Sequence, residues 1–333
     1  MHTSKDVLRN AACCLVLLGS LPALVALAVP AAAQPAYPSK PVELVVPFPA
    51  GGGTDMLARL LADGLTPRLG QRVLVVNRPG ANTIVGTQAV IRAAPDGHTL
   101  LLSSIGLAAN PYLYNPVPFD PEKQLAPIVL VANSPSILVV PRSAPASTVN
   151  ELVALLKAKP GEGTYASYGN GSAPHLAAEL FMTTTGTRML HVPYGGGAPA
   201  TTAIAGGHVG ALFAGGSAVS GMIGSGKIKP LAIASTTRLQ SLAEVPTFKE
   251  AGIDLVTGTW FGMLAPAATP PAIIARLNAE SVAVLREPSV TKRIVGDSSE
   301  VGGGTPQDFG KFIAAERARL SHVIAKAGIK AGD

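Results

Sequence analysis

Only two cysteines occur in the 333 residues, and both, Cys13 and Cys14, fall within the first 36. The remainder has no thiol, which excludes a disulfide framework and leaves core size to supply stability. Charge is scarce as well. At 14% charged and 47% hydrophobic, with 36 Gly and 29 Pro, the chain is neither disordered nor collagenous nor a coiled coil. Aromatic residues make up 5%, and the 26 basic and 20 acidic residues gather into no basic run. A nucleic-acid-binding face is therefore not indicated, while the net charge of +6 suits a small anionic partner. Beyond the first 36 residues no apolar stretch is long enough to cross a membrane. No repeat of fixed period appears, which excludes a solenoid.

The amino-terminal segment is what stands out first. Lys5 and Arg9 form a short basic region, residues 13–29 are apolar except at Gly19, Ser20 and Pro22, and Ala31, Ala32 and Ala33 offer a small-residue exit. This pattern predicts a cleaved secretory signal peptide over 1–36 and export of a soluble protein. An uncleaved anchor is the rival reading, and Pro22 counts against it. A lipoprotein site needs Leu three residues before its Cys, where Asn10 and Ala11 stand.

After residue 36, β-branched runs alternate with amphipathic patterns. Val42 to Val46, Val73 to Val76 and Thr99 to Leu102 read as strands, with Leu57, Leu60, Leu61 and Leu65 on one helical face between the first two. A second group repeats the order, with strands at 137–140, 164–166, 189–192 and 209–213 and helices at 150–159, 173–184 and 198–205. Strands at 231–234 and 260–265 and helices at 272–285 and 306–326 follow. Runs apolar on both faces predict parallel strands covered by helices, an α/β fold with two such units.

Ligands of such folds bind where strand ends turn into helix starts. Three of these turns are rich in glycine: Pro47 to Asp55, Ser167 to His175 and Val192 to Pro199. Each can present backbone N–H groups and the positive end of a helix to a carboxylate, and each is equally explained as a tight turn. No Lys follows any of them as a nucleotide P-loop requires. Gly169 and Gly171 lack the third glycine of a dinucleotide fingerprint, and Gly215-Gly216-Ser217-Ala218-Val219 lacks the closing glycine of a nucleophile elbow. The histidines after residue 36 show no close pairing. Only His175 and Glu179 share a helical face, favouring a capped or partly buried imidazole over a metal ligand. Asp55 either stabilises the helix start or, with Thr54, meets a hydroxyl or ammonium group. Trp260 fits packing better than ligand stacking.

Together, Tyr37-Pro38-Ser39-Lys40-Pro41, Pro47 to Asp55 with Ala58-Arg59, Asn77-Arg78-Pro79-Gly80-Ala81, Ala94-Pro95-Asp96-Gly97, His191-Val192-Pro193-Tyr194, Val245-Pro246-Thr247 and Trp260 to Pro266 resemble the Bug family. These are the extracytoplasmic solute-binding proteins of tripartite tricarboxylate transporters. The resemblance covers nearly all of the chain after residue 36. It implies a two-domain periplasmic binding protein of Venus-flytrap, type II-like form, with a first domain over 37–132 and 236–333 and a second over 133–235. It also implies a non-catalytic monomer without cofactor or metal, closing on a small carboxylate and delivering it to permease subunits of the membrane transporter. Carried over by position, Phe48, Ala50, Gly51, Gly52, Gly53, Thr54 and Asp55, with Ser103 and Ser104, form one jaw. Asn170, Gly171, Ser172, His175, Tyr194 and Gly195 form the other. Asn82-Thr83 replaces a usual glycine pair, and Ala214-Gly215-Gly216 replaces polar residues of many relatives. A ligand-sensing receptor and a secreted α/β hydrolase are the alternative functions.

Overall fold

A computed structural model describes residues 37–330, so the expected signal peptide lies outside the described residues. From Tyr37 the chain lays down β1 (Val42–Val46), α1 (Gly53–Leu69), β2 (Val73–Asn77), α2 (Ile84–Ile91), β3 (Thr99–Ser104), α3 (Gly106–Leu113), the one-turn α4 (Pro121–Gln124) and the long β4 (Leu125–Pro135). A second group comprises β5 (Ile137–Pro141), α5 (Val149–Ala158), β6 (Thr164–Ser167), α6 (Ala173–Thr185), β7 (Leu190–Pro193), α7 (Gly197–Ala205), β8 (Ala211–Ala214), α8 (Gly216–Gly224) and β9 (Ile228–Ile233). The chain then returns through β10 (Gly258–Pro266), α9 (Pro271–Leu285), α10 (Pro288–Gly296), β11 (Glu300–Gly303) and α11 (Pro306–Ala327).

Strand side chains alternate between faces, and here each face has its own core. Val42, Leu44 and Val46 of β1 pack with Leu100 and Leu102 of β3 beneath α1 and α9. Val45 and Leu101 point the other way, toward α2, α3 and α11. The five-stranded sheet repeats this arrangement, with Leu138 and Val140 on one side and Ile137 and Val139 on the other. Two α/β lobes result.

The first sheet has the order β11-β4-β10-β3-β1-β2 and the second β7-β6-β8-β5-β9. Only β2-β1-β3 and β7-β6-β8 are parallel, as expected; β10 and β5 run antiparallel to their neighbours. This correction follows from connectivity, because a strand arriving from the other lobe enters its sheet from the opposite end. The sequence reading had not included β4. Two register shifts in its pairing with β10 bury Val129 and Val131 together with Ile128 and Ala132, erasing the period-2 signal.

The crossing points are tied to each other by backbone bonds, Ser136 N to Thr257 O at 2.9 Å and Ala234 N to Ser136 O at 2.8 Å. The expected return at residue 236 differs from the structure. Leu239, Leu242 and Val245 pack in one core of the second sheet and Phe248 and Leu255 in the other, so the chain rejoins the first sheet at Gly258. The apolar strand signal stops at Ala234, but the burial does not.

Candidate functional site

Parallel strands place the turn after β1 and the turn after β3 at one edge of the first sheet, and those after β6, β7 and β8 at one edge of the second. In the first turn, Asp55 is buried and its carboxylate is fully engaged. It accepts from Gly51 N at 2.9 Å, from Asn77 Nδ2 at 2.9 Å and from Arg59 at 3.0 and 3.1 Å. Asn77 Nδ2 also donates to Phe48 O at 3.1 Å. Burial acts to raise the Asp55 pKa, but the Arg59, Gly51 and Asn77 bonds outweigh it and hold the carboxyl below the usual range. The paired Arg59 offsets a negative charge that would otherwise cancel the positive end of α1.

This frame leaves the start of α1 open. Its N-cap, Gly52, offers no side-chain acceptor, and the N–H groups of Gly52, Gly53 and Thr54 have no partner among the described residues. Ala50, Gly51 and Gly52 are exposed, and Thr54 is buried. Ser103 and Ser104 at the end of β3 are buried too, and Ser103 Oγ has no hydrogen-bond partner among the described residues. Gly262 lies opposite Ser103, on the sheet face that also carries Trp260, whose Nε1 is likewise unpartnered. Trp260 stands edge-on to Phe309 and Phe312, both at 5.7 Å, so it belongs to the core.

In the second lobe, Gly169 and Gly171 have φ of +113° and +71°, a bend that side-chain-bearing residues rarely follow. Ser172 does not cap α6; its hydroxyl donates to Gly169 O at 2.6 Å. His175 is turned inward. Its Nδ1 accepts from Gly171 N at 3.0 Å, and its ring stacks on His191 at 4.1 Å. Burial first, then the neighbouring imidazole, pushes its pKa down to about 4. The histidines thus do pair, across elements where sequence spacing is silent. Tyr194 N donates to Ser167 O at 3.1 Å, which sets the third turn beside the second. The N–H groups of Asn170, Gly195, Gly196 and Gly197 have no acceptor among the described residues.

Contacts between the lobes show which turns meet. A Cβ on Gly53 would lie 3.5 Å from Ser217 Oγ at the start of α8, and one on Gly171 would meet Leu113 of α3. The α8 N-cap is Gly215, again without a side-chain cap, and Ser134 Oγ of β4 points at it, 2.9 Å from where its Cβ would be. Sequence reasoning missed Ser217, Ser134 and the props Arg59, Asn77 and His191. For Ser217 the signal was present, a Gly-Gly-Ser turn at a strand end, weighed only as a failed nucleophile elbow.

A family profile described as the tripartite tricarboxylate transporter family receptor matches residues 57–329. The chain is similar to protein BugT of Bordetella pertussis, 37% identical over 95% of this chain and 98% of that one. Among solved structures it is similar to R. palustris Rpa4515 with adipate, at 36% identity and a TM-score of 0.80 over 88% of this chain and 99% of that one. The periplasmic binding protein BugD gives 33% identity and a TM-score of 0.78 over the same shares. A profile spanning most of the sequence and relatives aligned nearly end to end place this chain in the tripartite tricarboxylate transporter family of receptors.

Proposed function

We propose that this chain is an exported, periplasmic receptor that takes a small organic carboxylate between its lobes and passes it to the permease subunits of a tripartite tricarboxylate transporter. One observation carries the reading: the uncapped starts of α1 and α8 approach each other across the lobes, with Ser217 Oγ 3.5 Å from where a Cβ on Gly53 would lie. Backbone N–H groups and two helix dipoles aimed at one gap stabilise an anion without Lys or Arg. The binding of adipate by Rpa4515 supports a carboxylate as the ligand class.

In this reading Ala50, Gly52, Gly53 and Thr54 receive the ligand from one side and Asn170, Ser172, Tyr194, Gly195 and Ser217 from the other. Phe48, Gly51 and Asp55 shape the first turn. Ser103 and Ser104 offer hydroxyls at its floor. Calorimetry against a panel of mono- and dicarboxylates including adipate tests the proposal. Gly52→Val should weaken the best binder by at least about 2 kcal/mol, roughly 30-fold. The melting temperature should hold, because Gly52 has φ −81° and its Cβ would meet only Pro49 O, at 3.8 Å. Unchanged affinity would remove the first turn from the site.

A further inference from the structure

The second turn is held from behind by two imidazoles. Gly171 N–H donates to His175 Nδ1 at 3.0 Å, so this nitrogen must be unprotonated and the ring proton sits on Nε2. His191 lies flat on His175 at 4.1 Å and on Tyr165 at 4.9 Å. His191 Nε2 is 2.6 Å from Ser167 Oγ, which accepts from Gly169 N at 3.1 Å. The inner N–H groups of the turn, those of Gly169 and Gly171, are thereby taken up, and that of Asn170 has no acceptor among the described residues.

We propose that His175 is the positioning residue of this turn and that His191, stacked on it, keeps His175 Nδ1 available as an acceptor, so that the turn keeps its shape in acid. The inference rests on the receptor reading for what the turn receives, but not for how the turn is held.

The physical reason is charge repulsion at short range. A proton on His175 Nδ1 would replace an acceptor by a second donor facing Gly171 N–H. Two stacked imidazoles cannot both be charged without cost, and His191 is the less buried of the two. Protonation of His191 leaves its bond to Ser167 possible and opposes protonation of His175. Other groups around the pair offer little compensation. Glu179, the carboxylate on the same helix, is 3.8 Å from His175 Nε2 and accepts the Tyr165 hydroxyl at 2.7 Å. Burial raises the Glu179 pKa despite that bond. On neighbouring elements, β8, β10 and α7 carry no titratable residue. On α11, Glu316 and Arg319 pair with each other at 2.8 Å, and Arg317 pairs with Glu122.

The test needs no ligand at its first stage. The Gly171 amide resonance of the protein is followed by NMR from pH 7.5 to 4, beside the His175 and His191 ring signals. In the wild type it should shift only well below pH 6.5, with the His175 ring. His191→Phe keeps the stack but removes the guarding charge, so the same transition should move up by about one pH unit. His175→Asn places an amide oxygen where Nδ1 was, and the Gly171 transition should disappear. His175→Phe, which cannot accept, should weaken the best acid of the calorimetric panel at least tenfold, with His175→Asn within about threefold of wild type. A Gly171 transition unmoved in His191→Phe, or His175→Asn as impaired as His175→Phe, would overturn the proposal. A panel without any binder would overturn the receptor reading and leave the amide titration to decide the role of the pair.

Discussion

At the residue scale, the side chains that shape the glycine turns differ from those proposed to touch a ligand. Asp55 illustrates this, since a lone carboxylate at an anion site would repel it, whereas one closed by Arg59, Asn77 and Gly51 N–H becomes a bracket. Asp55→Asn sets its amide against donors, and we expect a loss of about 2 kcal/mol by denaturant unfolding at pH 7. The pH dependence fixes the mechanism. Because the folded pKa of Asp55 is depressed, its contribution is full above the ordinary value of 3.8 and is lost as pH falls through the folded value, so the gap between wild type and variant should narrow there. A second residue-scale case is the turn before α2. Ala81, Asn82 and Thr83 have φ of +45°, +47° and +77°, where glycine would be unstrained. Asn110, fully buried, holds the turn by donating to Asn82 O at 2.6 Å and accepting from Asn82 Nδ2 at 2.8 Å. Ala81 is exposed, and Ala81→Gly should raise stability by about 1 kcal/mol, read by thermal melting.

At the element scale, side-chain caps close three helix starts. α4, α5 and α11 are capped by the side chains of Asp120, Thr148 and Thr305, while α1, α6, α7 and α8, which begin at the turns after β1, β6, β7 and β8, have no side-chain cap, as α2, α3, α9 and α10 also have none. Thr305→Ala removes half of a capping box and should cost about 1 kcal/mol in chemical denaturation with carboxylate affinity unchanged. The contrast with Gly52→Val, which should do the reverse, separates a helix held by its cap, α11, from one whose open start is proposed to meet a ligand, α1. Much of this was legible in sequence. Thr305, Pro306 and Asp308 announce α11, the apolar runs announce β1, β3 and β5, and the glycine turns fall at strand ends as expected. What was hidden has physical causes. Bulges removed the alternation of β4; α8, made mostly of Gly, Ser and Ala, has little helical signature; and His175 meets His191 only because β7 pairs with β6.

At the scale of the whole molecule, the lobes are joined by more than their two crossing segments. Ser298, at φ +54° and nearly fully buried, stands at the end of α10 with its hydroxyl 3.1 Å from Ser220 Oγ of α8 and 2.7 Å from Ser241 Oγ in the turn after β9. Glu300 on β11 accepts from Ser235 at 3.0 Å and from Asn133 at 3.0 Å, stitching the same side. Against this cluster sits Gly216, where a Cβ would come within 2.1 Å of Ser298 Cβ. The start of α8 can therefore reach Gly53 only while residue 216 has no side chain. Gly216→Ala must push α8 away from the first sheet, which should cost about 2 kcal/mol, weaken ligand binding and enlarge the radius of gyration measured by X-ray scattering. Ser298→Gly removes the Cβ and Oγ that collide, leaving Asp297 O at 2.9 Å from the new methyl, and places glycine in a backbone conformation it tolerates. The double variant should consequently recover part of the stability and compactness lost in Gly216→Ala, giving a coupling of at least about 1 kcal/mol in the thermodynamic cycle. If the two substitutions instead add independently, close packing between α8 and Ser298 does not govern how the lobes meet.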